Sequence, residues 1–200
     1  PTRRSSDLLR RRPFVQLLAA TGLAGSAPLA LAQARRKDAA VLGMILEPPG
    51  LDPTIAAAAA IGEVVHYNVF EGLTKINVDG SVTPLLAERW EHTPDGKVYT
   101  FRLRPGVTFS DGSPLDAEVV KFAFDRARAP TSTNKAKKAV WDNVSSVTAH
   151  DARTVILTLN NADAALPFRL GENTAVILHP DTAAQAATQP VGTGPYKLES

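Results

Sequence analysis

The stretch from Trp90 to Arg104 is the part of the chain that most restricts its fold. Pro94-Asp95-Gly96 supplies a tight turn, since proline pre-sets φ at the first corner and glycine takes a positive φ without a side-chain clash. On the return run Tyr99, Phe101 and Leu103 alternate with Thr100, Arg102 and Arg104. That period of two marks a strand with one buried face. Pro105-Gly106 ends it. The run therefore predicts an antiparallel hairpin with Trp90, Tyr99 and Phe101 in its core.

The same logic extends along the chain. Val144 to Thr148 and Thr154 to Leu159 predict a second hairpin across His150-Asp151-Ala152-Arg153. Asp116 is a good N-cap, because its carboxylate accepts free amides of a first helical turn. Val120, Ala123, Phe124 and Ala127 follow at i, i+3, i+4 and i+7, the spacing of a helix that buries one stripe. A further helix is expected from Ile61 to near Gly72, a turn at Asn77-Val78-Asp79-Gly80, and one helical turn at Leu85 to Arg89. Val107 to Phe109 reads as a short strand, and helical segments are expected at 164–170 and 181–187. Val41 to Leu46 reads as a buried strand, as do Thr174 to Leu178 and the residues after Gly192-Thr193-Gly194-Pro195. Short, mostly antiparallel pairings mixed with helices make the expected fold class α+β.

Charge separates the first residues from the rest. Residues 1–34 hold five arginines and one aspartate, leaving 17 of the 22 basic and 19 of the 20 acidic residues for the remainder. That remainder is nearly neutral and offers no field for nucleic acid or an anionic membrane. Arg10-Arg11-Arg12, an apolar run from Val15 to about Leu31, and Ala32-Gln33-Ala34 form the tripartite pattern of a cleavable secretory signal. The signal is assigned to 1–34, with Pro1 to Leu8 read as extraneous to it. Arg11-Arg12-Pro13-Phe14-Val15 resembles a twin-arginine signal; an arginine-rich signal for the general secretory route is the alternative. The sequence has no cysteine, which removes disulfides, thiol nucleophiles and a lipid-modified cysteine anchor.

Motifs for chemistry are sparse. The four histidines, His66, His92, His150 and His179, are not at the spacing of a helical metal site. Gly192-x-Gly194 lacks the third glycine and the helix a dinucleotide fingerprint needs, and reads as a tight turn. Neither a metal nor a cofactor is expected. Ser132-Thr133-Asn134-Lys135 matches the S-x-x-K pattern of penicillin-recognising acyl enzymes. It lies in a polar loop beside Lys137 and Lys138, where that pattern arises by chance. Glu47 and Asp52 flank Pro48-Pro49-Gly50 and read either as a pair or as solvated loop residues.

The pieces Leu51-Asp52-Pro53, Phe70-Glu71-Gly72-Leu73, Pro84 to Trp90, Asp95 to Arg104, Gly106 to Gly112, Asp116 to Val120 and Gly192 to Tyr196 occur in an order and spacing of their own. Together they resemble the extracellular solute-binding proteins of family 5, which serve ABC importers of peptides, nickel and related solutes. The resemblance implies a two-lobed clamp, of which these residues form the first lobe with an extra hairpin-rich subdomain, the second lobe being absent. It implies a core-lobe sheet from 35–53 and 174–200, and the extra subdomain from 54–173. In peptide-binding relatives the stretch just beyond the Leu-Asp-Pro turn contacts the ligand, which here is Ala57, Ala58 and Ala59. Small side chains there suit backbone pairing to a peptide; equally, the alanines simply begin a helix. The implied function is a periplasmic, non-enzymatic, monomeric protein that captures a small solute, of peptide type by family resemblance, and passes it to a membrane permease. The alternatives are an acyl hydrolase using Ser132 and Lys135, or a ligand-presenting or chaperone-type binding protein.

Overall fold

The computed structural model describes residues 42–56 and 58–199. The chain divides into two compact units, 1–42 and 43–200. The signal assigned to 1–34 lies outside the described residues, as do Val41 and Ala57.

The second unit is built around the expected hairpins. Strands β3 (Ala87–His92) and β4 (Val98–Leu103) pair antiparallel, with Trp90 opposite Phe101 and His92 opposite Tyr99. Gly96 closes the turn at φ 66°, and Asp95 Oδ1 accepts from Lys97 N at 3.1 Å. Strands β5 (Val144–Asp151) and β6 (Thr154–Leu159) form the second hairpin, and β6 inserts beside β4 to give the order β3-β4-β6-β5. One face of this sheet carries Tyr99, Phe101, Leu103, Val155, Leu157 and Leu159, all buried. Helix α2 (Ala117–Arg128) covers that face with Val120, Ala123, Phe124 and Ala127. Phe124 meets the ring of Trp141 at a centroid distance of 4.9 Å. Asp116 caps α2 as its position predicts, accepting from Val119 N at 2.9 Å.

A second apolar cluster joins helix α1 (Ala59–Val65) to the segment 176–186 through Ile61, Val65, Phe70, Val176 and Leu178. Helix α1 stops well short of Gly72. His66 is already extended, and Tyr67 takes φ 60°, a left-handed conformation that costs a bulky residue about 1–2 kcal/mol. Two hydrogen bonds offset this. The Tyr67 hydroxyl donates to Gly171 O at 2.7 Å and accepts from Ile76 N at 2.9 Å, tying the helix end to strand β1 (Thr74–Ile76). Strand β2 (Val82–Pro84) completes the small β1-β2 ribbon across the Asn77–Gly80 turn.

Several expectations change for one reason: an apolar run becomes a strand only where a neighbour completes its ladder. Met44, Ile45 and Leu46 are exposed, Ile45 fully, and pair with nothing among the described residues. Val176 to Leu178 is buried but keeps one ladder bond, Ile177 N to Glu71 O at 2.9 Å. The residues after Gly192 make two, Gly194 N to Val69 O and Tyr196 N to Asn68 O. Thr108 forms an isolated bridge to Pro114. Conversely, Ala87 to Arg89 is strand rather than a helical turn, because β4 supplies the partner. Segment 181–187 is a string of turns, whereas helix α3 (Leu166–Arg169) forms inside the expected 164–170 stretch.

Candidate functional site

Helix α2 ends where Ala129 turns extended before Pro130, since the residue ahead of a proline is disfavoured in the helical region. The following loop doubles back, with Ser132 N donating to Ala129 O at 2.9 Å. Asn134 is buried and secures the loop: its Nδ2 donates to Thr174 O at 2.8 Å and its Oδ1 accepts from Ala136 N at 2.8 Å. Between this loop and the Leu51–Ala56 segment lies a cleft of about 260 Å³ lined by Thr54, Ile55, Arg126, Ala127, Ala129 and 131–134. Its polar groups are four hydroxyls, the Arg126 guanidinium and the Asn134 carboxamide, a lining suited to a polar solute.

Asp52 organises the other wall. It is buried, at 2% exposure, and does not pair with Glu47, which is exposed. Its carboxylate instead faces Arg126 Nη2 at 3.1 Å. Thr54 sits between them, its hydroxyl donating to Asp52 Oδ1 at 2.6 Å and accepting from Arg126 Nη1 at 2.6 Å.

Of the three alanines expected at the ligand, Ala57 lies outside the described residues. Ala58 is the half-buried N-cap residue of α1 and packs on the second cluster; Ala59 is exposed on the first turn. Neither lines the cleft, which reaches Thr54 and Ile55 of the same segment. Ser132 does line it, yet its hydroxyl accepts from Asn134 N at 3.2 Å, and no hydrogen bond joins it to the exposed Lys135 among the described residues. An S-x-x-K acyl enzyme needs that serine and lysine in contact. Lys137 is paired with Asp142.

Sequence reasoning missed Arg126 and Thr54. Arg126 is 74 positions from Asp52, so no local pattern connects them. The Asp52-x-Thr54 spacing is a local signal, that of a side chain turning back on its own backbone.

Two half-buried titrating groups lie outside the cleft, in the residues that follow α1. Burial pushes the Glu71 carboxyl above its ordinary value, with the Thr193 hydroxyl, Arg104 and Lys75 opposing. Burial also pushes the His66 imidazole down, and its Nε2 has no hydrogen-bond partner among the described residues. The His66 and Tyr67 rings stack at 3.8 Å. Among the described residues no three His, Cys, Asp or Glu side chains are grouped to hold a metal, and no helix is long and apolar enough to cross a membrane.

Three comparisons bear on this geometry. Residues 81–200 match the family described as bacterial extracellular solute-binding proteins, family 5, middle region. The chain is similar to the glutathione-binding protein GsiB of Salmonella paratyphi A, 32% identical over 190 residues, covering 92% of this chain and 36% of that protein. It therefore spans about a third of the length of such relatives. Among solved structures it resembles AgaA of A. tumefaciens R10, bound to agropinic acid, with a TM-score of 0.69 and 30% identity over 77% of this chain and 32% of that one. It also resembles DppA of Helicobacter pylori, bound to the peptide STSA, with a TM-score of 0.65 and 27% identity over 76% of this chain and 34% of that one. The α+β fold is accordingly that of a periplasmic binding-protein lobe, and the chain belongs to the bacterial extracellular solute-binding proteins of family 5.

Proposed function

We propose that this chain supplies one lobe of a periplasmic protein that captures a short peptide or peptide-like solute and delivers it to an ABC permease. The observation that carries the reading is the polar cleft between the 51–56 segment and the end of α2. It has hydrogen-bonding groups, and among the described residues its Ser132 lacks the lysine contact that an S-x-x-K acyl enzyme needs. Ala57, Ala58 and Ala59 extend the same segment and are assigned backbone contact with the solute. The peptide preference is supported by GsiB being a glutathione-binding protein, glutathione being a tripeptide, and by the peptide bound to DppA.

Within this reading 1–34 is a cleavable export signal, of twin-arginine type. Residues 35–53 and 174–200 belong to the core lobe, and 54–173 to the extra subdomain. A second lobe closes over the solute by hinge motion. Transport, rather than catalysis, is the protein's role.

Titration calorimetry of the full-length protein with reduced glutathione, a free tripeptide, agropinic acid and nickel-histidine tests the proposal. Saturable binding of glutathione or the tripeptide, with the solute recovered intact, is the expected result. Heat only with agropinic acid or nickel-histidine would overturn the peptide assignment, and hydrolysed solute would overturn the binding role.

A further inference from the structure

A buried carboxylate is costly unless its oxygens are paired and hydrogen-bonded. Asp52 meets that condition through a closed ring of three side chains. Oδ1 accepts from Thr54 N at 2.8 Å and from Thr54 Oγ1 at 2.6 Å; Oδ2 accepts from Arg126 Nη2 at 3.1 Å. The second arm of the same guanidinium, Nη1, returns to Thr54 Oγ1 at 2.6 Å. Residues 51–56 have no regular secondary structure. Among the described residues its one other hydrogen bond is Leu51 N donating to Ala187 O at 2.9 Å, while Leu51 and Ala56 at its two ends pack on the second apolar cluster. Helix α2, in contrast, is fixed on the sheet by its buried stripe. Arg126 thus joins the middle of a segment with few hydrogen bonds to a rigid support, and its side chain stays 31% exposed where it lines the cleft.

We infer that Arg126 is a positioning residue. Through Asp52 and Thr54 it holds the 52–55 segment against the end of α2, and so sets the cleft wall at Thr54 and Ile55 and the path of the chain into Ala58 and Ala59. Its relevance to binding rests on the cleft being part of the solute site, as proposed above. Two arms on two acceptors are what the planar guanidinium offers; a lysine supplies the charge but not the bridge. A role confined to overall stability would weaken the whole unit together, whereas a positioning role loosens this segment alone.

The test is amide hydrogen exchange on the ligand-free, full-length wild type and its Arg126→Lys and Thr54→Val variants, with calorimetry against reduced glutathione. Both variants fold if the sheet and α2 keep their protection. Exchange at the hydrogen-bonded amides of 51–56, Leu51 and Thr54, is expected to rise at least about ten-fold, and glutathione affinity to fall by a similar factor, about 1.4 kcal/mol. Unchanged protection of 51–56, or a loss shared equally with β4, β6 and α2, overturns the inference. A loosened segment with unaltered glutathione affinity overturns it as well. A wild type that ignores glutathione counts against the peptide reading instead, and the exchange pattern of the ligand-free protein then decides the positioning role by itself.

Discussion

Gly192 lies directly against the carbonyl of Val69, in the space where any other residue would carry its Cβ. A Cβ on Gly192 would overlap the Val69 carbonyl oxygen and come within 2.8 Å of Phe70 Cδ1, and one on Gly194 would sit 2.7 Å from the Asn68 carbonyl carbon. The Gly-Thr-Gly motif is therefore more than a tight turn. It lets two backbone segments run in contact, with Gly194 N donating to Val69 O at 2.9 Å. Gly192→Ala is expected to destabilise the protein by about 3 kcal/mol or more, because backbone atoms cannot yield as a flexible side chain can. Gly43→Ala, where nothing among the described residues lies within 4 Å, is expected to stay within about 0.5 kcal/mol of wild type. Urea midpoints of the two variants check the contrast.

Between those glycines, Thr193 Oγ1 donates to Glu71 Oε2 at 2.8 Å. Burial is the largest influence on Glu71 and raises its pKa in the folded state. A carboxyl with a raised folded value favours folding below its unfolded value, and that contribution is lost as pH rises through the folded value. Glu71→Gln removes the titration while keeping an acceptor for Thr193. Its stability relative to wild type should grow as pH climbs from about 4.5 toward 7.5. Equal differences in urea midpoint at the two ends would refute this.

Asp116 caps α2 by accepting from Val119 N at 2.9 Å, and α2 covers the sheet while carrying Arg126. Asp116→Ala should cost about 1 kcal/mol, and Asp116→Ser should restore most of it. Denaturant titrations of the pair measure this.

Ala59 is exposed at the start of α1, so a larger side chain there meets solvent rather than core. Ala59→Trp is expected to keep the wild-type melting temperature and to weaken glutathione binding by about ten-fold, by blocking the solute's approach to the free amides of the first turn of α1. Calorimetry with unchanged affinity would remove Ala59 from the proposed site.

The hairpins, the N-cap and the buried stripe of α2 were legible in the sequence because each is a local pattern. Turn chemistry at Pro94-Asp95-Gly96, alternation through Tyr99, Phe101 and Leu103, and the spacing of Val120 to Ala127 act over a few residues, within reach of backbone sterics and solvent exposure. The tertiary structure decided the rest. It made strand of Ala87 to Arg89, where β4 offered hydrogen bonds, and withheld it from Met44 to Leu46, where no neighbour among the described residues did. It ended α1 at Val65 because the Tyr67 hydroxyl finds partners at Ile76 and Gly171. It also brought Arg126 to Asp52 across 74 positions. Such contacts leave no periodicity to read, since they form only when elements already shaped by local rules are packed together.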